Sequence, residues 1–218
     1  MLDFTEVLPY AWPLLIGAGM TLVVSGAAIV LGMAGGLLLR IGALTGHPVM
    51  RRLIAAYISF FRGTPLLVQL LISFYFLPAL LGINVPPLVS AVGTLALNTS
   101  AFQAEIYRGG FLTLPHGQFE AARMLGIGVW QTRRRILIPQ VMRLVLPPLT
   151  NEATSILKSS SLVSVVAVTE LMRVSEQAVS ITFRATEFYV TAALIYLVLT
   201  SLLAWIGKRF ELQLARSV

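Results

Sequence analysis

From Ala11 to Leu39 the chain carries no charged side chain at all. A run of about 20 apolar residues is enough to cross the hydrocarbon core of a bilayer as a helix. Every backbone N–H and C=O in such a run must be satisfied inside the chain, which leaves helix as the local structure. Within the run, Gly32 and Gly36 form a small-xxx-small pair, the spacing that lets a second helix approach closely.

Four further apolar runs follow, at roughly Pro65–Leu81, Leu88–Tyr107, Leu149–Leu171 and Phe188–Gly207. The segment Gly82-Ile83-Asn84-Val85-Pro86-Pro87 separates the second from the third as a turn signal. The chain of 218 residues is 57% apolar and 11% charged, against roughly 45–50% and about 25% in soluble domains. The expectation is one all-α integral membrane domain over residues 1–218, with five transmembrane helices and no internal repeat. The absence of cysteine excludes disulfides, thiolate metal sites and a Cys nucleophile. His47 and His116 are too far apart to suggest a His-rich metal site. The first residues lack a basic n-region, so the first run is expected to stay as a span rather than be cleaved.

Basic residues orient the spans, because cytoplasmic connections are enriched in Lys and Arg. Arg40, Arg51, Arg52 and Arg62 lie in the first connection. Arg108, Arg123, Arg133, Arg134, Arg135 and Arg143 lie in the third, and Lys208, Arg209 and Arg216 in the tail. The opposite side has only Arg173 and Arg184, and Lys158 falls within a span. The start is therefore expected outside and the tail in the cytoplasm. The +7 charge is accounted for by topology and contact with anionic lipid, not by nucleic acid.

The connection over residues 108–143 is too long to be only a turn. Gln118 to Leu125 reads as a two-turn helix with Glu120 in its first turn, where a carboxylate meets the positive helix end. Gly126 takes the position after it, where positive φ is easy. Trp130 to Leu137 reads as a second, basic amphipathic helix at the lipid surface. The stretch Glu120-Ala121-Ala122, three residues, Gly126, nine residues, Ile136-Leu137-Ile138-Pro139 resembles the EAA loop of ABC importer permeases. Ile138 stands where that family usually has Leu. Phe61-Arg62-Gly63-Thr64-Pro65-Leu66-Leu67-Val68-Gln69 and Ala104-Glu105-Ile106-Tyr107-Arg108-Gly109-Gly110 are similar to segments of its polar amino-acid branch, the histidine/glutamate/glutamine-type permeases.

This resemblance implies the type I ABC importer permease architecture in a bacterial inner membrane. It also implies a second permease, identical or homologous, two copies of an ATP-binding subunit and an extracytoplasmic solute-binding protein. ATP and Mg belong to the ATP-binding partner, since this chain has no GxxxxGK[ST] motif. The chain itself is then a permease and not an enzyme. Glu120, Ala121, Ala122 and Gly126 would couple it to the ATPase.

Polar groups inside spans are costly and usually face a protein interior or cavity. Gln69 and Ser73 are one turn apart on the second span; Thr94, Asn98 and Glu105 share a stripe on the third; Asn151, Ser155 and Lys158 share one on the fourth. The expected substrate-binding set is Asn98, Glu105, Lys158, Gln69, Thr94 and Ser155, with Lys158 meeting a carboxylate and Glu105 an ammonium group. The alternative for each is structural: Asn98 and Gln69 bridging helices, Glu105 pairing with Arg108, Lys158 pairing with Glu152 or snorkelling. The fourth-span pattern of the family, Leu-Lys-Asp-Thr-Ser-Leu, reads here Leu157-Lys158-Ser159-Ser160-Ser161-Leu162, without the carboxylate. A stand-alone ion-coupled transporter is the competing function; paired repeats would favour it, and none is found.

Overall fold

The computed structural model describes residues 3–44 and 46–216. Among them there are helices and connections and no strand. Helix α1 covers Ala11–Leu44 and is preceded by a 3-10 segment, Phe4–Tyr10. Asp3 caps that segment, its carboxylate accepting from the Thr5 N–H at 3.0 Å and the Thr5 hydroxyl at 2.6 Å. Those bonds hold the Asp3 carboxyl below its ordinary pKa, because they favour the charged form.

Helix α2, Pro48–Gly63, follows the first run, and α3, Leu66–Leu81, turns away from it by 110°. The break lies at Thr64-Pro65: Pro65 has no N–H to donate and restrains the residue before it to extended backbone, which is the conformation of Thr64 (φ −116°, ψ 148°). Gly82 ends α3 at φ +64°. Helix α4 covers Pro87–Leu112 and α5 covers His116–Met124.

Helix α6 runs over Val129–Val166, interrupted only by a π turn at Arg133–Leu137 and a 3-10 finish at Ser160–Val166. Two expectations need correction here. Trp130–Leu137 is not a separate surface helix, and the fourth apolar helix does not begin after Pro147-Pro148 but contains them. A proline inside a helix removes one i→i−4 bond, and in membrane helices neighbouring groups compensate for it. The helix also stops at Val166 rather than Leu171, where Ala167 takes the left-handed conformation at φ +61°. After a bend of 49° comes α7, Leu171–Thr182, so the stretch between the fourth and fifth apolar runs is largely helical. Helix α8, Ala185–Arg216, closes the chain.

Three hydrophobic clusters lie among the described residues, the smallest being Val141, Val145 and Leu149 of α6, packed against Ile106 and Tyr107 of α4; the other two draw on more helices. One gathers Val24 and Ala28 of α1, Leu70 of α3, Leu95 of α4 and Ile156 of α6. The other gathers Leu14, Leu171 and Phe188 from α1, α7 and α8. Helix α1 lies against α4 along its small-residue stripe: a Cβ on Gly36 would stand 2.9 Å from Gln103 Cβ, and one on Gly32 would collide with Thr99 Cγ2. A buried carboxylate ties the opposite end, where Glu170 accepts from the Thr21 hydroxyl (3.2 Å), the Tyr196 hydroxyl (2.6 Å) and the N–H groups of Met172 and Arg173 (2.9 Å each).

Among the described residues two helical stretches, Phe4–Leu44 and Ala185–Leu214, are long and apolar enough to cross a membrane singly. The bent pairs α2 with α3 and α6 with α7 pass together. Helix α4 is long enough, about 39 Å at 1.5 Å per residue, yet too polar to meet the same criterion. Its polar residues Ser90, Thr94, Asn98, Thr99, Ser100 and Gln103 are buried against other helices. Their hydrogen bonds are met by protein, so local hydropathy undervalues this helix.

Candidate functional site

The break after α2 leaves the carbonyls of Phe61 and Thr64 without a normal helical partner, and in a membrane each such group would cost several kcal/mol. Two side-chain amides answer it. Gln69 Nε2 donates to the Phe61 carbonyl at 2.9 Å, the Thr64 carbonyl at 3.1 Å and the Thr64 hydroxyl at 2.8 Å. Asn98 Nδ2 donates to the Phe61 carbonyl at 3.2 Å and to Gln69 Oε1 at 2.9 Å. Both residues are buried. The two Nδ2 hydrogens of Asn98 are therefore engaged, and only its Oδ1 remains to receive a donor.

Beside this brace lies a cavity of about 200 Å³ whose wall includes Thr64, Asn98, Phe102, Ser155 and Ser159. Two charged residues of opposite sign, Arg62 and Glu152, also line it. The Arg62 guanidinium stands 5.4 Å from the centre of the Phe102 ring, within cation–π range. The Glu152 carboxylate accepts from the Thr99 hydroxyl at 3.0 Å. One small space thus presents a guanidinium, a carboxylate, an amide oxygen, hydroxyls and an aromatic face.

The sequence-derived candidates divide. Asn98 and Ser155 line the cavity. Gln69 stands behind it as the brace. Thr94 donates to the Ser90 carbonyl at 2.8 Å and is 3% exposed. Lys158 is exposed, its ammonium group makes no hydrogen bond or ion pair among the described residues, and the alternative pairing with Glu152 does not occur. Glu105 faces a different space and is held by Arg108, through three bonds of 2.8–3.1 Å, and by Arg62 at 3.6 Å. The charged pair that shares the cavity, Arg62 and Glu152, was not among the candidates. The signal was present: Glu152, Ser155 and Ser159 fall at i, i+3 and i+7, one face of α6. Arg62 reads in sequence as one of the basic residues that set topology, so its position there does not mark it as a site residue.

The segment with the EAA spacing forms a separate surface. Helix α5 ends in a Schellman arrangement: the Ile127 N–H donates to the Ala122 carbonyl at 3.0 Å and the Gly126 N–H to the Arg123 carbonyl at 3.0 Å. Gly126 has φ +71° and nothing within 4 Å of where a Cβ would stand. Its role is therefore conformational, not close packing. Ala122 is buried, while Glu120, Ala121, Met124 and Leu125 are exposed. Gln118 Nε2 donates to Gln140 Oε1 at 3.0 Å, fastening α5 to α6. Gln140 lies on the same helix, α6, as the cavity residues Glu152, Ser155 and Ser159.

Known proteins are similar to this chain in sequence and fold. Residues 28–216 match the family described as binding-protein-dependent transport system inner membrane component. The chain is 37% identical over 217 residues to the glutamine transport system permease protein GlnP of Escherichia coli (strain K12), with 96% of each chain covered. It is 34% identical over 213 residues to the arginine transport system permease protein ArtQ of Bacillus subtilis (strain 168), covering 98% of this chain and 97% of the other. A crystal structure of an amino acid ABC transporter with histidines superposes with a TM-score of 0.91 at 35% identity, over 98% of this chain and 99% of that one. The MetNI methionine ABC transporter, at 23% identity and a TM-score of 0.73, shares the fold. On the family match and these relatives, the chain belongs to the inner-membrane permease subunits of binding-protein-dependent ABC importers, multi-pass proteins whose ATP is hydrolysed by a separate subunit.

Proposed function

We propose that this permease forms the translocation path for a polar amino acid or close derivative, held between Arg62 and Glu152. The single observation behind the site is that these opposite charges line one cavity of about 200 Å³. A zwitterion needs an anion-binding and a cation-binding pole. Arg62 supplies planar donors for the carboxylate, and Glu152 with Asn98 Oδ1 supplies acceptors for the ammonium group. Phe102, Ser155 and Ser159 are left to meet the side chain. Relatives named for glutamine and arginine transport support the substrate class. The role moves from the Lys158–Glu105 pair to Arg62 and Glu152 because neither Lys158 nor Glu105 lines the cavity, Glu105 being held by Arg108 and Arg62.

In this reading the assembly has two permeases, identical or homologous, two ATP-binding subunits carrying ATP and Mg, and an extracytoplasmic solute-binding protein. The α5 segment, through Glu120, Ala121, Ala122 and Gly126, docks on the ATPase. Five spans place the start outside and the tail in the cytoplasm. Supporting this, the N–H of Asp3 donates to Glu187 at 3.2 Å at one end of the bundle, while Arg40, Arg62 and Arg108 gather at the other. The family's separate ATPase sets aside the stand-alone ion-coupled alternative.

The test is uptake by the complete transporter in proteoliposomes, using radiolabelled neutral, acidic and cationic amino acids. Arg62→Gln and Glu152→Gln are each expected to reduce uptake at least tenfold while the complex still assembles and hydrolyses ATP. Wild-type uptake of every amino acid by both variants would refute the site.

A further inference from the structure

A second, larger cavity of about 640 Å³ opens where the end of α1, the length of α2 and the end of α4 meet. Four guanidinium groups line it, Arg40, Arg51, Arg62 and Arg108, with a single carboxylate, Glu105. That carboxylate is engaged by Arg108 and Arg62. The Nε of Arg40 is buried without a hydrogen-bond partner among the described residues. The Arg51 side chain likewise makes no hydrogen bond or ion pair among them, and it is exposed. Four positive charges against one negative leave a local excess of positive charge that favours an added anion, and the buried Arg40 Nε lacks a partner among the described residues.

The rest of the wall defines the kind of anion. Ile54 and Ile58, one turn apart on α2, stand between the arginines in sequence and line the same space. A soluble anion gains nothing from such an apolar strip, whereas a molecule with a charged head and a hydrocarbon tail uses both halves. Helix α2 is amphipathic, 16 residues long, and turned by 110° from the helix that follows. An amphipathic helix with arginines on its polar face suits the boundary between headgroups and acyl chains. The arginines also lie in connections expected to face the anionic cytoplasmic leaflet. Guanidinium forks match phosphate oxygens in pairs, which favours phosphate as the head.

We infer that this cavity binds the phosphate of an anionic membrane phospholipid, between Arg40 and Arg51, with its acyl chains along Ile54 and Ile58. Glu105 then sets the orientation of Arg62 and Arg108 at the cavity's inner edge and does not contact substrate. Bound lipid would brace α2 against α1 and α4, and so support the break at Thr64-Pro65 from the side opposite the amide brace.

The permease is purified with its ATPase, delipidated by detergent exchange, and titrated with dioleoylphosphatidylglycerol or dioleoylphosphatidylcholine. Bound lipid is counted by native mass spectrometry. The wild type is expected to bind the glycerol lipid at least tenfold more tightly than the choline lipid. Arg51→Gln, which breaks no internal contact, is expected to weaken binding severalfold, and Arg40→Gln with Arg51→Gln to abolish the preference. Arg134→Gln with Arg135→Gln removes the same charge from exposed positions outside the cavity and should leave it intact. Equal affinity for the two lipids, or unchanged preference in Arg51→Gln, overturns the proposal. Displacement of the lipid by inorganic phosphate at similar concentration would assign the site to a soluble anion. Loss of permease pairing in Arg51→Gln without any change in lipid binding would assign it to a carboxylate of a second copy. If the double variant fails to assemble, the Arg51→Gln measurement decides.

Discussion

Asn98→Leu keeps the approximate size of a residue that is 6% exposed and removes both hydrogen bonds its amide donates. The Phe61 carbonyl keeps a donor, because Gln69 Nε2 also reaches it at 2.9 Å. Gln69 Oε1 keeps none among the described residues, because Asn98 was its partner. A buried acceptor left unpaired costs about 1–3 kcal/mol. Hydrogen bonds between membrane helices average about 0.6 kcal/mol, with a maximum near 1.7, so the lower half of that range is expected. At about 2–4 °C per kcal/mol for a chain of this size, the apparent melting temperature should fall by roughly 2–8 °C. The assay is thermal unfolding of the purified complex, read by tryptophan fluorescence, beside uptake in proteoliposomes. Pairing the change with Gln69→Leu gives a double-mutant cycle. Its coupling should be at least about 0.5 kcal/mol, the usual floor for residues in one network. An unchanged melting temperature together with lost uptake would refute the reasoning, since it would make Asn98 a substrate ligand without a bracing role.

Gly126→Ala should cost about 1–2 kcal/mol, the penalty of a Cβ in the left-handed region, because φ is +71° and no neighbour obstructs the new atom. Gly126→Val should be worse, and Gly126→Asn milder; co-purification of the ATPase and the ratio of hydrolysis to uptake report the effect, and normal coupling in Gly126→Val would remove the conformational argument. Single cysteines at positions 3, 84 and 180 should react with an impermeant maleimide in intact cells, and those at 128 and 214 should not; the reverse pattern would invert the topology.

The apolar runs and the EAA spacing were enough to establish helices, a membrane setting and the permease family. Those properties are local or additive. Hydropathy sums over twenty residues, and a turn such as Gly126 states its conformation through one residue type. Proline misled where local reading is weakest: Pro147 and Pro148 resemble a boundary, yet α6 continues through them because tertiary neighbours decide whether a missing hydrogen bond ends a helix. Helix α4 was recognisable as a helix in sequence, but which of its polar groups face one another was not. Thr94, Asn98 and Glu105 share a stripe at helical spacing, and the stripe meets three different environments along its length. The bend at Thr64-Pro65 draws Asn98 and Gln69 into a brace, places Arg62 at the cavity, and leaves Glu105 with two arginines. Only the packing of α2, α3 and α6 around α4 determines that outcome, because a charge chooses its partner by distance in space, and spacing along one helix carries no information about what the next helix brings opposite it.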